Sequence, residues 1–104
     1  ASQVQGMKQI LANFNKAFES RVRLGIMSVL AVNNSMDFTG LRDTLAVTDG
    51  NLASHLRALE EAGYIRMEKN FINRKPNTSY SITEEGLENF SSHLKALEEL
   101  INRK

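Results

Sequence analysis

The side chains of this sequence best suited to a chemical task form two polar clusters along the chain. The first cluster consists of Thr48, Gly50, Asn51, Ser54 and Arg57. The second consists of Arg66, Lys69, Arg74, Lys75 and Asn77. Amides and guanidinium groups form paired hydrogen bonds with planar acceptors, whereas lysine supplies a mobile point charge. The chemistry expected of both clusters is therefore binding of base edges and phosphates, and not bond making or breaking.

The first cluster lies on a predicted helix with two different sides. When residues are placed 100° apart, Leu52, Leu56 and Leu59 share one side, and the polar cluster lies opposite or on a flank. Small polar side chains allow a helix to enter a major groove about 12 Å wide, where Asn pairs with adenine and Arg with guanine. The pattern predicts a helix whose early turns meet base edges.

Each residue of this helix also has a simpler interpretation. Thr48 is suited to cap the helix and can contact a phosphate as well. Asn51 and Ser54 could be ordinary exposed residues, and Arg57 could be a solvated charge that pairs within the helix. His55 lies close to the apolar side, which favours a packed, hydrogen-bonded histidine.

Periodicity predicts the elements before this helix. Residues 7–18 repeat apolar side chains at helical spacing, and Ser20 can cap a second helix. A brief extended piece follows at Met36-Asp37-Phe38. Thr39 is expected to cap a short helix that stops near Val47.

Thr48 can cap the next helix, which runs to Ala62, and Gly63 is a typical C-terminal stop. Only about three residues separate the two helices, which is the spacing of a helix-turn-helix over residues 39–63.

After Gly63 the apolar period changes from helical to alternating. The alternating residues are Ile65, Met67, Phe71, Tyr80 and Ile82. Two half-buried strands separated by a polar loop at 73–77 would form a hairpin over 64–82. Thr83 can cap a last helix over 83–102, in which His93 is expected at the surface or an interface. The cations on this hairpin reach phosphates or a narrow minor groove in one interpretation, and serve solubility in the other.

We therefore predict one domain over residues 1–104, mainly α with a small β-hairpin wing (class α+β), in a winged helix-turn-helix arrangement. The terminal helices carry more apolar residues than so small a core can cover. The predicted dimer interface consists of Met7, Ile10, Leu11, Phe14, Phe90, Leu94, Leu97 and Ile101. Packing of these residues within one chain is the alternative.

The stretch from Thr48 to Ile65, TDGNLASHLRALEEAGYI, resembles the recognition helix and first wing strand of MarR/ArsR/PadR-like winged-helix regulators. SRVRLGI at 20–26, RKP at 74–76 and TSY at 78–80 are similar to a small one-domain branch of that group. The resemblance covers residues 18–101 and implies a DNA-binding repressor or activator, usually dimeric. Cysteine ligands of metal-sensing relatives are missing, and so are the extra helices that form ligand pockets in larger ones.

Composition excludes several classes of function. The chain has no cysteine, which excludes disulfides and thiolate zinc sites. No glycine-rich phosphate loop or nucleophile elbow is found, so we expect neither an enzyme nor a cofactor or metal. Net charge is +1, but residues 1–75 hold ten Lys and Arg against seven Asp and Glu. No apolar run approaches the ~20 residues of a membrane span, and we expect a cytoplasmic protein.

The sequence thus predicts a homodimeric, sequence-specific regulator that binds double-stranded DNA at a near-palindromic operator. The helix at 48–62 would lie in the major groove, with the wing on the backbone or minor groove. The alternative is a winged helix used for protein–protein contact in a larger assembly.

Overall fold

The computed structural model describes residues 15–18 and 20–102. After a 3-10 turn at Lys16–Phe18, the elements are α1 (Arg21–Val32), β1 (Met36–Asp37), α2 (Phe38–Leu45), α3 (Asp49–Glu61), β2 (Ile65–Ile72), β3 (Lys75–Ile82) and α4 (Glu84–Ile101). The predicted α+β class, with a helix-turn-helix followed by a hairpin, is confirmed. No helix in this part of the chain is both long and apolar enough to cross a membrane.

Three predicted helix caps are present. The hydroxyl oxygens of Ser20, Thr48 and Thr83 accept hydrogen bonds from backbone N–H groups three residues later, at 3.4, 3.2 and 2.9 Å. Each satisfies a donor that the first turn of its helix would leave unpaired, a contribution of about 1 kcal/mol per cap. The starts of α1, α3 and α4 are therefore fixed by local sequence.

The start of α2 differs from the prediction, because Asp37 and not Thr39 is the cap. The Asp37 carboxylate accepts the N–H of Gly40 at 2.8 Å, and Thr39 lies inside the helix. Asp37 ends β1 in an extended conformation, and a carboxylate also suits the positive end of the helix dipole. The helix ends at Leu45, where Ala46 turns left-handed, two residues before the predicted stop.

The core lies where the helices α1 to α4 and the inner face of the sheet meet. Its fully buried side chains include Phe18, Ile26, Met27, Leu30, Leu41, Leu52, Leu56 and Leu59. The three leucines of α3 all belong to it, as their helical spacing predicts.

Two residues on the inner side of α4 differ from the sequence prediction. Phe90 is buried within its own chain, with its ring edge-on to Phe18 at a centroid distance of 5.5 Å, so it belongs to the core and not to a dimer interface. His93 is buried too, and its Nδ1 accepts the N–H of Asn15 at 3.2 Å. Spacing alone indicated an apolar stripe, but it did not show which neighbour covers each member.

The N-terminal prediction falls largely outside the described residues. Of the helix expected at 7–18, the structure describes only a short stretch that contains the 3-10 turn at Lys16–Phe18. Four predicted interface residues, Met7, Ile10, Leu11 and Phe14, lie outside the described residues.

The sheet has three antiparallel strands in the order β1-β3-β2. The loop expected at 73–77 is a two-residue turn, since Lys75 already pairs with Ile72. Asn73 and Arg74 have φ of 52° and 66°, the left-handed pair of a type I′ turn, whose twist suits a hairpin. Pro76 does not interrupt β3, because β1 pairs with that strand only farther along.

The outer part of the hairpin projects from the body of the protein. Alternation predicts that Phe71 is half-buried, yet 77% of its surface is exposed. Met67 is the last residue of β2 that packs on the core, and every residue from Glu68 to Ile72 is exposed. The alternation of side chains shows which residues share a face of a strand, but it does not show where the core beneath that face ends.

One threonine joins α4 to the base of the hairpin. The hydroxyl of Thr83 donates to the carbonyl oxygen of Gly63 at 2.7 Å. The backbone N–H of Thr83 donates to the carbonyl oxygen of Tyr64 at 3.0 Å. Gly86 packs directly against the Tyr64 carbonyl, so that a Cβ on this glycine would overlap the carbonyl oxygen.

We expect Gly86→Ala to lower the free energy of unfolding by about 1–3 kcal/mol, the usual cost of overpacking a tight contact. The overlapped oxygen is backbone and is held by Thr83, so it cannot move aside cheaply. Gly50→Ala is the matched control, because nothing lies within 4 Å of its added Cβ. That change should raise stability by about 0.5 kcal/mol through helix propensity. Urea denaturation followed by circular dichroism measures both, and equal stability of the two variants would contradict the packing described.

Candidate nucleic-acid interface

The outer face of α3 carries the first predicted cluster. Leu52, Leu56 and Leu59 attach the helix to the core, and this fixes its rotation about its own axis. Gly50, Asn51, Ser54 and Arg57 are all exposed on the remaining surface, as is the cap Thr48. The structure thus presents the small polar face that the sequence predicts, whereas its contact with nucleic acid stays a prediction.

An ion pair between helices neutralises the acidic residue at the start of α3. Arg42 Nη1 lies 3.0 Å from Asp49 Oδ1, and Arg42 Nε lies 3.2 Å from Asp43 Oδ1. Both carboxylates raise the pKa of Arg42 above its ordinary value, Asp49 more strongly. Sequence analysis did not identify Arg42, because its partner lies on a different helix. The pair leaves less negative charge beside the polar face.

A second hydrogen bond joins α3 to α1. Arg23 Nε donates to His55 Nδ1 at 3.0 Å, which confirms the predicted packed, hydrogen-bonded histidine. Burial lowers the pKa of His55, and the positive charge of Arg23 lowers it further. Accepting at Nδ1 requires the unprotonated ring nitrogen, so the contact favours neutral His55. The spacing of the two residues in the sequence gave no signal for this pair.

Arg57 remains available on the outer surface of α3. The pairing within the helix that the sequence allowed is not formed, since the ion pairs of the described residues involve Arg42 alone. Its guanidinium therefore keeps its donors for another acceptor.

The register of the hairpin divides the second cluster between two faces. Partners across an antiparallel pair share a face, so Lys69 lies with Met67 and Tyr80 on the face that continues from the core. The residues on the opposite face are Arg66, Lys75 and Asn77. Arg74 occupies the turn itself. Their cationic side chains are exposed, while Asn77 is half-buried.

A groove of about 260 Å³ separates α3 from the hairpin. Its lining consists of Ala53, Leu56, Arg57, Glu60, Met67 and Tyr80. Burial raises the pKa of Tyr80, and the nearby Glu60 carboxylate raises it further, so its hydroxyl stays protonated. Lys69 lies two positions beyond Met67 on the same strand face. Arg57 lines this groove, and so does Tyr80, which sequence reasoning assigned only to a strand.

The described residues contain no group of three or more His, Cys, Asp or Glu side chains that could hold a metal ion.

Comparison with known proteins supplies independent information. Residues 22–101 match the family model described as a winged helix DNA-binding domain. An uncharacterized protein of Methanocaldococcus jannaschii is 35% identical over 79 residues, 76% of this chain and 86% of that protein. A transcriptional regulator homologue protein from Pyrococcus horikoshii OT3 is 33% identical, with a TM-score of 0.83 over 94% of this chain and 95% of that one. The YusO protein of Bacillus subtilis, 15% identical with a TM-score of 0.74 over 98% of this chain and 72% of that one, shares the fold.

We expect the stability of the fold to fall on acidification because of the contact between His55 and Arg23. An unfolded histidine binds its proton near pH 6.5, whereas in the folded chain the pKa of His55 is lower. The unfolded state therefore binds more protons in this range, and stability is complete above pH 6.5 and falls as the pH drops toward the folded pKa.

The measurement is the midpoint of thermal unfolding at a series of pH values, for the parent and for His55→Gln. Glutamine can accept from Arg23 without titrating, so its midpoint should vary less between about pH 7.5 and 5. Identical pH dependence of the two proteins would show that His55 contributes nothing to it.

Proposed function

This chain belongs to the winged helix DNA-binding domain family, and we propose that it is a homodimeric, sequence-specific transcriptional regulator that binds double-stranded DNA. The observation that carries the proposal is the exposed, small and polar face of α3 beside a projecting cationic hairpin. Such a regulator acts in the compartment that holds the DNA, which we take to be the cytoplasm. The family binds DNA and is not enzymatic, in agreement with the sequence prediction.

The proposed reader of DNA sequence is the N-terminal half of α3. Gly50 and Ser54 have little bulk, so the backbone of the helix can approach the floor of a major groove. Asn51 can form a paired hydrogen bond with adenine, and Arg57 can pair with guanine or a phosphate. Thr48 uses its oxygen to cap the helix and retains its O–H to donate to a phosphate.

The apolar residues of the surface argue against the alternative of protein docking by α3. Docking helices expose aromatic or aliphatic anchors. The large apolar residues that are exposed in the described part of the chain are Val32, Phe71, Ile72, Leu87, Leu94 and Ile101. All of these lie on α1, the hairpin or α4.

We propose that the hairpin contacts both backbones of the duplex. Lys69 lies on one face of the ribbon, Arg66 and Lys75 lie on the other, and Arg74 lies at its end. A two-stranded ribbon placed over a minor groove would thus present cations to the phosphates on either side. Asn77 adds an amide to the face of Lys75. These contacts would position the protein without reading bases directly.

The proposed dimer forms through α4. Leu87, Leu94 and Ile101 follow each other at intervals of seven residues and are 45%, 43% and 81% exposed. A repeat of seven places them in one row along a helix, as in helices that pair with a second copy. Leu94, the half-buried Leu97 and Ile101 thus remain proposed interface residues, and Leu87 joins them. Two-fold pairing would set the α3 helices about 34 Å apart and favour a near-palindromic operator.

We expect an unbiased selection from random duplexes at two salt concentrations to recover symmetric sites. On a recovered site, the double variant Arg74→Ala and Lys75→Ala should weaken binding to every duplex. It should also reduce the slope of log affinity against log salt by about 0.9 for each lost phosphate contact. Lys95→Ala is the matched control, because it removes an exposed cation from α4. Equal salt slopes of all three proteins would contradict the role of the wing.

Asn51→Ala should act differently from the wing variants. We expect it to relax preference at one base pair of each half-site, by about 1–3 kcal/mol, and to leave the salt slope nearly unchanged. Competition between the recovered site and its single-base variants measures this. Failure of the parent to select any duplex would contradict DNA binding itself and favour the protein-docking alternative.

We expect Leu94→Glu to convert the dimer into a monomer, because a charge would face its own copy across the axis. Ser92→Glu is the control, since it places the same charge at an exposed position on the other side of α4 from Leu94. Light scattering gives the mass of each protein in solution. If Leu94→Glu keeps the mass of a dimeric parent, or if the parent itself is monomeric, the proposed interface is wrong.

A further inference from the structure

The end of the hairpin combines exposed apolar residues with positive charge. Phe71 is 77% exposed and Ile72 is 55% exposed, immediately before the turn that carries Arg74. Large exposed apolar side chains at the end of a two-stranded ribbon are unfavourable in water and indicate contact with another molecule. Four residue pairs, from Lys69–Thr78 to Ile72–Lys75, extend the ribbon beyond Met67. At about 3.3 Å per residue, the apolar end stands roughly 13 Å from the core.

The register places the two apolar residues on different faces. Phe71 pairs with Pro76, and both continue the face of Lys69 and Met67, which borders the groove beside α3. Ile72 pairs with Lys75 on the opposite face. An aromatic ring therefore lies across from a proline ring, and the fixed φ of proline together with the two-residue turn stiffens this end. We refer to Phe71 and Pro76 together as the wedge.

We propose that the wedge enters the minor groove next to the site contacted by α3, partly unstacks one base step and bends the duplex. The inference rests on the proposed function and extends it from binding to deformation of DNA. Apolar side chains inserted from the minor groove unstack base steps and bend the duplex away from themselves, toward the major groove. The wedge has the required shape, since a single ring near the end of a narrow ribbon can enter a groove about 6 Å wide. The long cationic side chains on both faces can meanwhile extend sideways to the phosphates.

The charges around the wedge favour DNA as its partner. From Lys69 to Thr83 the chain contains three cations and no acidic residue. A second copy of the chain would bring like charges together, whereas a duplex offers phosphates on both sides of the groove. Arg57 of α3 and Met67, which lies on the strand face that the wedge continues, line the same groove of the protein, so one continuous ligand can contact both α3 and the wedge.

A wedge adds specificity without hydrogen bonds to bases. Pyrimidine–purine steps such as TA and CA unstack at lower cost than other steps. We therefore expect selected duplexes to share such a step outside the base pairs read by α3, once in each half-site.

The experiment uses the full chain and a duplex recovered by the selection, with dyes at its two ends. Energy transfer between the dyes reports bending, and 2-aminopurine in place of each adenine in turn reports unstacking. When the parent protein binds the duplex, energy transfer between the dyes should rise. The fluorescence of 2-aminopurine should increase at one flanking step of each half-site. Phe71→Ala should abolish both changes and lower affinity about five- to tenfold, in the range for loss of one stacked aromatic side chain.

Ile72→Ala is the matched control. It removes an exposed apolar residue from the same ribbon but from the opposite face, so bending and unstacking should persist. Both substituted positions are exposed, and thermal unfolding midpoints equal to that of the parent verify that the fold is retained. Bending by Phe71→Ala equal to the parent's, or equal loss of bending in both variants, overturns the wedge.

The remaining outcomes separate this inference from the proposed function. Duplex binding that depends on Asn51 but produces no bend overturns the wedge alone. A smaller mass of Phe71→Ala in solution without DNA, or weaker binding of that variant to anionic phospholipid vesicles, with bending unchanged, shows instead that the tip serves a protein or a lipid surface. If the parent binds no duplex, the proposed function and the wedge fail together.

Discussion

The burial of three leucines on one side of α3 is the constraint on which the rest of the structure depends. Leu52, Leu56 and Leu59 have almost no exposed surface, and losing one such side chain typically costs 2–5 kcal/mol. For a domain of this size, that is a large share of the total stability. The helix consequently has one stable rotation about its axis, which turns Asn51, Ser54 and Arg57 outward. The polar face is thus a consequence of the core.

Two arginines hold this helix at its sides. Arg42 reaches the carboxylate of Asp49 at the start of α3, and Arg23 reaches the ring of His55 in its second turn. These bonds come from α2 and α1 respectively, so each of the preceding helices has a polar link to α3 as well as an apolar one. Both links lie near the part of α3 that would meet DNA, and they limit its freedom to tilt. Recognition of base edges by α3 would require such fixed placement, because paired hydrogen bonds tolerate little displacement.

The predictable features of this protein are those that depend on neighbours in the sequence. Three helix caps and the inward face of α3 follow from spacing alone. Nonlocal contacts account for the differences: pairing of β1 with β3 positions Asp37 as the cap in place of Thr39, and pairing across the hairpin shortens the loop at 73–77 to two residues. The exposure of Phe71 could not be predicted either, because alternation does not show how far the core extends beneath a strand. The links of Arg23 and Arg42 join residues whose proximity arises only from folding.

The hydrogen bonds of Thr83 make the hairpin and α4 one rigid unit. Its hydroxyl joins Gly63 to the first turn of α4, and its amide joins the same turn to Tyr64, with Gly86 packed against that carbonyl. Because this junction is hydrogen-bonded and closely packed, rotation of α4 would move the hairpin with it. Eight residues of strand span about 25 Å, so that a tilt of about 10° displaces the far end by about 4 Å. That distance is comparable to the width of a minor groove. Whatever sets the angle between two α4 helices in a pair would therefore also set where each hairpin meets its target.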